Sequence, residues 1–171
     1  MHTNGHARWD VTENTGLPIQ IVQVTDEKTL LQHWPWLKTR LGIAHAKDRH
    51  RHERWLPEHI REAVRRGFTG AGPVKLFFGV NTEGVIEGFV VTTVRYDPFI
   101  GIPAALVVWI LYANESLIDR CLSQLKEITR QHYAPRLEFL GSRKGWFRKA
   151  ARFGFKPGIV SFYMEIEEDA R

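Results

Sequence analysis

From Val74 to Tyr112 the chain runs through three long apolar segments in close succession, and the last passes straight into a helix. "VKLFFGVNTEGVIEGFVVTTVRYD" reads as two strands joined by a hairpin at Asn81 to Gly84, where Asn and Gly supply turn conformations that other residues resist. After "PFIGIP" comes a third strand, Ala104 to Tyr112. The helix "ESLIDRCLSQLKEITRQHY" follows, with Leu117, Cys121, Leu125 and Ile128 on one stripe that Ile118 and Leu122 widen. "PRLEFLGS" is then a short strand. Antiparallel strands followed by strand, helix, strand require a mixed sheet with helices on both faces, because parallel neighbours need a crossover.

The flanking segments fit that plan. "LPIQIVQVTD" alternates Ile19, Ile21 and Val22 or Val24 with polar residues, as a half-buried strand does. Thr25 or Asp26 caps the next helix, "EKTLLQHWPWLKTRLGIA", whose Leu30, Leu31, Trp34, Leu37 and Leu41 have helical spacing. Pro35 inside this pattern predicts a kink or a break. "RHERWLPEHIREAVRRGF" gives a second helix with Trp55, Leu56, Ile60, Val64 and Phe68 on one stripe. Near the C-terminus, "KGWFRKAARFGF" reads as a short basic helix ended by Gly154, and "IVSFYMEIEE" as a final alternating strand.

With 171 residues, six Trp and ten Phe, the chain can build one substantial core, so we expect a flexible arm over residues 1–16 and a single domain over 17–171. The longest apolar run, Ile100 to Ala113, falls short of the roughly 20 residues a bilayer needs, so no membrane is expected among the partners. The N-terminus lacks the apolar core of a secretory signal. A single cysteine, Cys121, on a helical stripe fits a small core residue in a reducing compartment, which points to a cytoplasmic protein. Net charge +5 and a pI of about 9.6 favour acidic partners: nucleic acid, a phosphorylated cofactor or an acidic protein surface.

The order of elements, with the longest helix after the fourth strand and a short helix ending in "GF" before the last strand, resembles the GCN5-related N-acetyltransferase (GNAT) superfamily. The resemblance covers Leu17 to about Glu167 and implies an α+β fold with a mixed, mostly antiparallel central sheet of about six to seven strands. It also implies a cofactor, acetyl-CoA, lying where the fourth and fifth strands splay apart. The pantetheine would pair with the backbone of Val108, Trp109, Ile110 and Leu111, and the pyrophosphate would meet N–H groups at the start of the next helix, near Asn114 and Ser116. An amine acceptor would attack the thioester with a carboxylate or water as base and a Tyr as acid. The segment "GSRKGWFRKAARFGFKP" is also similar to that of GNAT-like proteins encoded by tailed bacteriophages, which implies the host cytoplasm or a virion as location.

Residue by residue, the match is incomplete. The family's phosphate loop carries glycines, which give a backbone cradle cheaply; here the junction is "YANES". Glu115 puts a negative charge at the helix start, and Ser116 with Asp119 reads as a capping box that satisfies the first-turn N–H groups locally. The family's Tyr acid is replaced by Ala150, leaving Tyr112 or Tyr133 as substitutes, and Asp97 or Glu87 as the carboxylate base. Asp97 before Pro98 also reads as a plain turn residue.

Arg143, Lys144, Arg148, Lys149 and Arg152 make the last helix basic. They would hold CoA phosphates from the opposite side, contact an acidic protein or nucleic acid, or form a solvated face. In "HAKDRHRHERW", His45, His50 and His52 stand among cations including Arg49 and Arg51. No zinc spacing completes the set, so no metal is expected, and an anionic substrate or partner is the better functional reading. Set against the resemblance, the missing glycines and Tyr favour a non-catalytic binding or structural role on a degenerate acyl-CoA site, as in a virion component or adaptor. The alternative is an acetyl-CoA-dependent N-acetyltransferase with a non-standard phosphate site.

Overall fold

The structure, a computed structural model, describes residues 17–47, 55–113, 115–139 and 150–156. The elements are β1 (Ile19–Gln23), α1 (Glu27–Lys47), α2 (Pro57–Phe68), β2 (Lys75–Asn81), β3 (Ile86–Tyr96), β4 (Pro103–Tyr112), α3 (Glu115–Gln131) and β5 (Leu137–Phe139). The sheet order is β1-β2-β3-β4-β5, antiparallel as far as β4, with β5 parallel to β4 across the α3 crossover. This is the mixed, mostly antiparallel sheet expected, with five strands among the described residues rather than six or seven. The expected last strand, "IVSFYMEIEE", and the arm over 1–16 lie outside those residues.

Successive strand residues point to opposite faces, and both faces of this sheet are covered. Phe78, Phe89, Val91 and Ile110 join Leu30, Leu37, Leu41, Ile60 and Val64 in the core beneath α1 and α2. On the other side, Phe77, Val90 and Val108 pack on Leu125, and Ile19 packs on Leu117 and Cys121. The α1 cap is Asp26: its carboxylate accepts from the Thr29 N–H and hydroxyl, both at 2.8 Å. Pro35 does not divide α1. It sits on the exposed face, where water can serve the Leu31 carbonyl that loses its helical donor. Leu31 and Leu56, expected in the core stripes, are 50% and 55% exposed; Leu56 occupies the N-cap of α2, outside the helical stripe.

The hairpin at Asn81 to Gly84 forms as expected. Asn81 Oδ1 accepts from the N–H groups of Glu83 and Val85, both at 2.9 Å, and Gly84 adopts φ +79°. At the outer edge of the sheet, the Gln124 side chain of α3 bridges β1: its Nε2 donates to the Ile19 carbonyl (2.6 Å), and the Ile21 N–H donates to its Oε1 (2.7 Å).

Candidate functional site

The second half of β4 departs from regular pairing. Val91 pairs with Ile110 and Thr92 with Val108, so Trp109 is an inserted residue, a β-bulge that bends the strand. On the other edge, pairing with β5 runs from Leu106↔Leu137 to Val108↔Phe139. The bulge at Trp109 follows directly on the last of these pairs. The Val108 and Ile110 side chains are 1% and 5% exposed, so these positions can offer a ligand only their backbone. Trp109 and Tyr112 are half-buried on the α1 and α2 face, and Leu111 joins the cluster beneath α3.

Tyr112 ends β4 in an aromatic cluster. Its ring stacks on Phe89 at 5.9 Å and meets Trp36 edge-on at 6.4 Å, with the Arg40 guanidinium carbon 5.3 Å from its centroid. The Trp36 Nε1 donor is buried without a hydrogen-bond partner, and its ring stands nearly perpendicular to those of Phe78, Phe89 and Tyr112. Arg40 and Trp36 carry no motif; only the register of α1 over β4 brings them to Tyr112.

Immediately beyond, α3 begins on a patch of sheet without side chains. Gly79 and Gly88 are cross-strand partners, and Leu117 rests on both. A Cβ on Gly88 would stand 2.5 Å from the Tyr112 carbonyl oxygen and closer still to Leu117 Cδ2. The glycines absent from the loop thus occur in the sheet, where they set the height of the helix start. The apolar cavity beside them, bounded by Ile21, Leu111, Leu117, Cys121 and Leu125, is about 30 Å³, room for a water and not for a cofactor. Burial pushes the Cys121 thiol up to about 11, with Arg120 opposing and Glu87 adding to the shift.

The capping box expected at Ser116 does not form the helix start. Glu115 is already helical, so Ser116 falls in the first turn, where it is exposed, and Asp119 faces Arg152 at 3.8 Å instead. Asn114 and Arg143 lie outside the described residues. Arg120, one turn into α3, is engaged. It donates to Glu87 Oε2 (2.7 Å), to the Ser116 carbonyl (3.2 Å) and to the Leu17 carbonyl. Glu87 was a candidate base; its side chain is 1% exposed and also accepts from Asn81 Nδ2 at 3.1 Å, so it is a buried structural anion with no path to a substrate amine.

Asp97 stands at the far end of the β3–β4 ladder. Phe89 pairs with Tyr112 and Tyr96 with Pro103, so Asp97 and Tyr112 are separated by about 26 Å of strand and do not meet. Asp97 Oδ1 accepts from the N–H groups of Phe99 (2.9 Å) and Ile100 (3.1 Å), which is turn chemistry.

Of the last helix, 150–156 is described. Gly154 at φ +82° closes it with Phe155 N–H donating to the Ala150 carbonyl (3.0 Å) and Gly154 N–H to that of Ala151 (3.0 Å). Phe155 packs edge-on against Phe139 of β5 at 4.8 Å. His45 packs edge-on against Trp55 at 4.7 Å. His50, His52, Arg49, Arg51, Lys144, Arg148 and Lys149 lie outside the described residues.

No known protein family and no curated protein matches the sequence. Solved structures do match the fold. A probable acetyltransferase superposes with a TM-score of 0.64 at 14% identity, covering 88% of this chain and 99% of its own. A ribosomal-protein-alanine N-acetyltransferase from Brucella melitensis biovar Abortus gives 0.59 at 14% identity, over 87% and 99%. An aminoglycoside N-acetyltransferase in complex with CoA gives 0.51 at 18% identity, over 86% and 99%. With the sheet order, the bulged β4 and the α3 crossover, these similarities show that the chain has the GNAT fold.

Proposed function

We propose that this chain binds an acyl-CoA along the second half of β4 and transfers the acyl group to an amine. One observation carries this reading: β4 is bent by the bulge at Trp109, just where its described pairing with β5 reaches Val108↔Phe139. The fit is uneven. The strand edge suits an amide-bearing pantetheine, whose N–H and C=O groups pair as another strand's would. No glycine-lined cradle receives the phosphates at "ANES". Their charge falls to side chains, and Arg152, 65% exposed beside Asp119 of α3, is a described cation open to them. Acyl-CoA supplies the activated thioester. The chain contributes backbone donors on β4, exclusion of water by Trp109 and Leu111, and the Tyr112 hydroxyl as a proton donor held by Phe89, Trp36 and Arg40.

A specific observation favours a second reading, a non-catalytic GNAT-fold protein such as a virion component or adaptor. Arg120 is committed to Glu87 and to the Leu17 and Ser116 carbonyls, so it is occupied at the place where a phosphate would need it. Calorimetric titration with acetyl-CoA separates the two. Binding in the micromolar range supports the first; no heat at millimolar ligand sinks it. A Tyr112→Phe variant that binds acetyl-CoA normally but turns over acceptor amines more slowly identifies the donor.

A further inference from the structure

Two strands away from β4, a lysine sits in a setting that the proposed site does not use. Lys75 opens β2 and pairs with Thr92 of β3, which in turn pairs with Val108 of β4. Lys28, Lys38, Lys126 and Lys156 are exposed, whereas Lys75 is half-buried. Lys38 is matched by a carboxylate, that of Glu58 at 2.6 Å. The partner of Lys75 is an imidazole instead: its Nζ lies 3.4 Å from His132 Nε2. The chain just past α3 holds that ring in place. His132 N–H donates to the Ile128 carbonyl (3.2 Å), Tyr133, at φ +53°, donates to that of Arg130 (2.8 Å), and Ala134 N–H to that of Thr129 (3.2 Å).

Only one proton arrangement satisfies the pair. A lysine ammonium donates and never accepts, so Nε2 is the accepting nitrogen and the ring proton sits on Nδ1. Burial, and then the Lys75 charge, hold the imidazole below its ordinary range, so it is the free base at neutral pH. Acids on the neighbouring segments are committed elsewhere: Asp26 caps α1 through Thr29, Glu127 meets Arg130 and Glu138 meets Arg95. A carboxylate beside Lys75 would hold it in the ammonium form. A neutral imidazole is a base that can take a proton from it.

We infer that Lys75 is a site of covalent acylation, whose amine accepts an acyl group from an activated donor, a thioester or an acyl phosphate, with His132 as the base. The unprotonated Nζ attacks the donor's carbonyl carbon and forms the N–C bond. His132 Nε2 removes a proton from the cationic nitrogen of the tetrahedral adduct. The adduct then collapses: the C–S or C–O bond breaks, and thiolate or phosphate leaves with the bonding pair. The imidazolium passes its proton to water. The amide product is neutral, so the modification also removes the positive charge that helps to hold His132 as the free base. The donor arrives from solution, and the step uses neither Tyr112 nor the β4 edge.

The full chain is incubated with acetyl phosphate and, separately, with acetyl-CoA, and acetylation of each lysine is followed by peptide mass spectrometry. Lys75 should react at least about tenfold faster than exposed Lys126, a modest part of what a positioned base supplies. His132→Gln keeps a hydrogen-bond acceptor for Nζ but no base, and should bring Lys75 down to the Lys126 rate. Reaction with both donors assigns the site to activated acyl groups in general; reaction with acetyl-CoA alone assigns it to thioesters. Acetyl phosphate carries no pantetheine, so its result stands whether or not the chain binds CoA. A Lys75 rate no higher than that of Lys126 with either donor overturns the inference, as does an unchanged rate in His132→Gln. A further readout needs no variant: in NMR titrations the His132 ring should gain its proton at higher pH once Lys75 is acetylated, and an unmoved titration means the two side chains do not face each other and overturns the inference too.

Discussion

Gly88 of β3 and Leu117 of α3 meet so closely that any side chain at position 88 would overlap both Leu117 and the Tyr112 carbonyl. Helix α3 is therefore seated by the absence of a Cβ. Gly88→Ala is expected to destabilise the protein by about 3 kcal/mol, the upper range for overpacking, because one of the two obstructions is backbone. At its cross-strand partner Gly79 a Cβ would stand 3.5 Å from Ile19 and Leu117, an ordinary contact, so Gly79→Ala should cost less than about 1 kcal/mol. Urea unfolding of the two variants with an unchanged m value checks the contrast.

The Glu87–Arg120 pair ties β3, α3 and the Leu17 carbonyl together with one carboxylate almost wholly out of water. Glu87→Leu leaves a partly buried guanidinium without its counter-charge and should cost about 3 kcal/mol. The double variant Glu87→Leu, Arg120→Met removes both charges and should recover much of that loss. A double-mutant cycle on unfolding free energies measures the coupling, and additive effects would show that the pair contributes nothing.

Acid should weaken the fold through two histidines. His33, 6% exposed against Phe78, is held below the usual imidazole range by burial, and His132 by burial and by Lys75, whose Nζ lies 3.4 Å from its Nε2. A depressed folded-state value means the unfolded chain binds the proton first. The stability these residues contribute is thus intact above about pH 6.5 and is lost as pH falls through the lower folded-state values. Melting temperatures between neutral and mildly acidic pH should fall, and a His33→Gln, His132→Gln variant should show a shallower slope.

Cys121 should be chemically silent while the protein is folded. Its thiol is buried and pushed up to about 11, so almost no thiolate exists at neutral pH. Reaction with a disulfide reagent should be slow in buffer and complete in denaturing urea. Rapid modification of the native chain would mean that the space between α3 and the sheet opens readily.

What the sequence disclosed was local. The apolar runs of β2 and β3, the Asn81 turn and the stripe of α3 are short-range patterns, and each gave an element of the right kind in the right order. The parallel β5 followed from the helix between it and β4. Features that depend on register were not legible. Nothing near Gly79 announces that it will face Gly88, and nothing near Arg120 names Glu87 as its partner. Arg40 and Trp36 reach Tyr112 only through the crossing of α1 over the sheet. Ser116, expected at the cap, lies inside the first turn, a difference of two positions that chain-local signals do not resolve. Asp97 looked like a turn residue or a base, and the distance to Tyr112 was set by a ladder whose length only pairing reveals.

The Gln124 amide laid along β1 has one more consequence. An outer strand with bare N–H and C=O groups is a template on which another molecule's strand can nucleate, the first step toward fibrillar aggregation. Here a single side chain mimics both groups of a neighbouring strand and occupies Ile19 and Ile21 together. Growth of the sheet by foreign strands is thereby blocked at the Ile19 and Ile21 positions of β1.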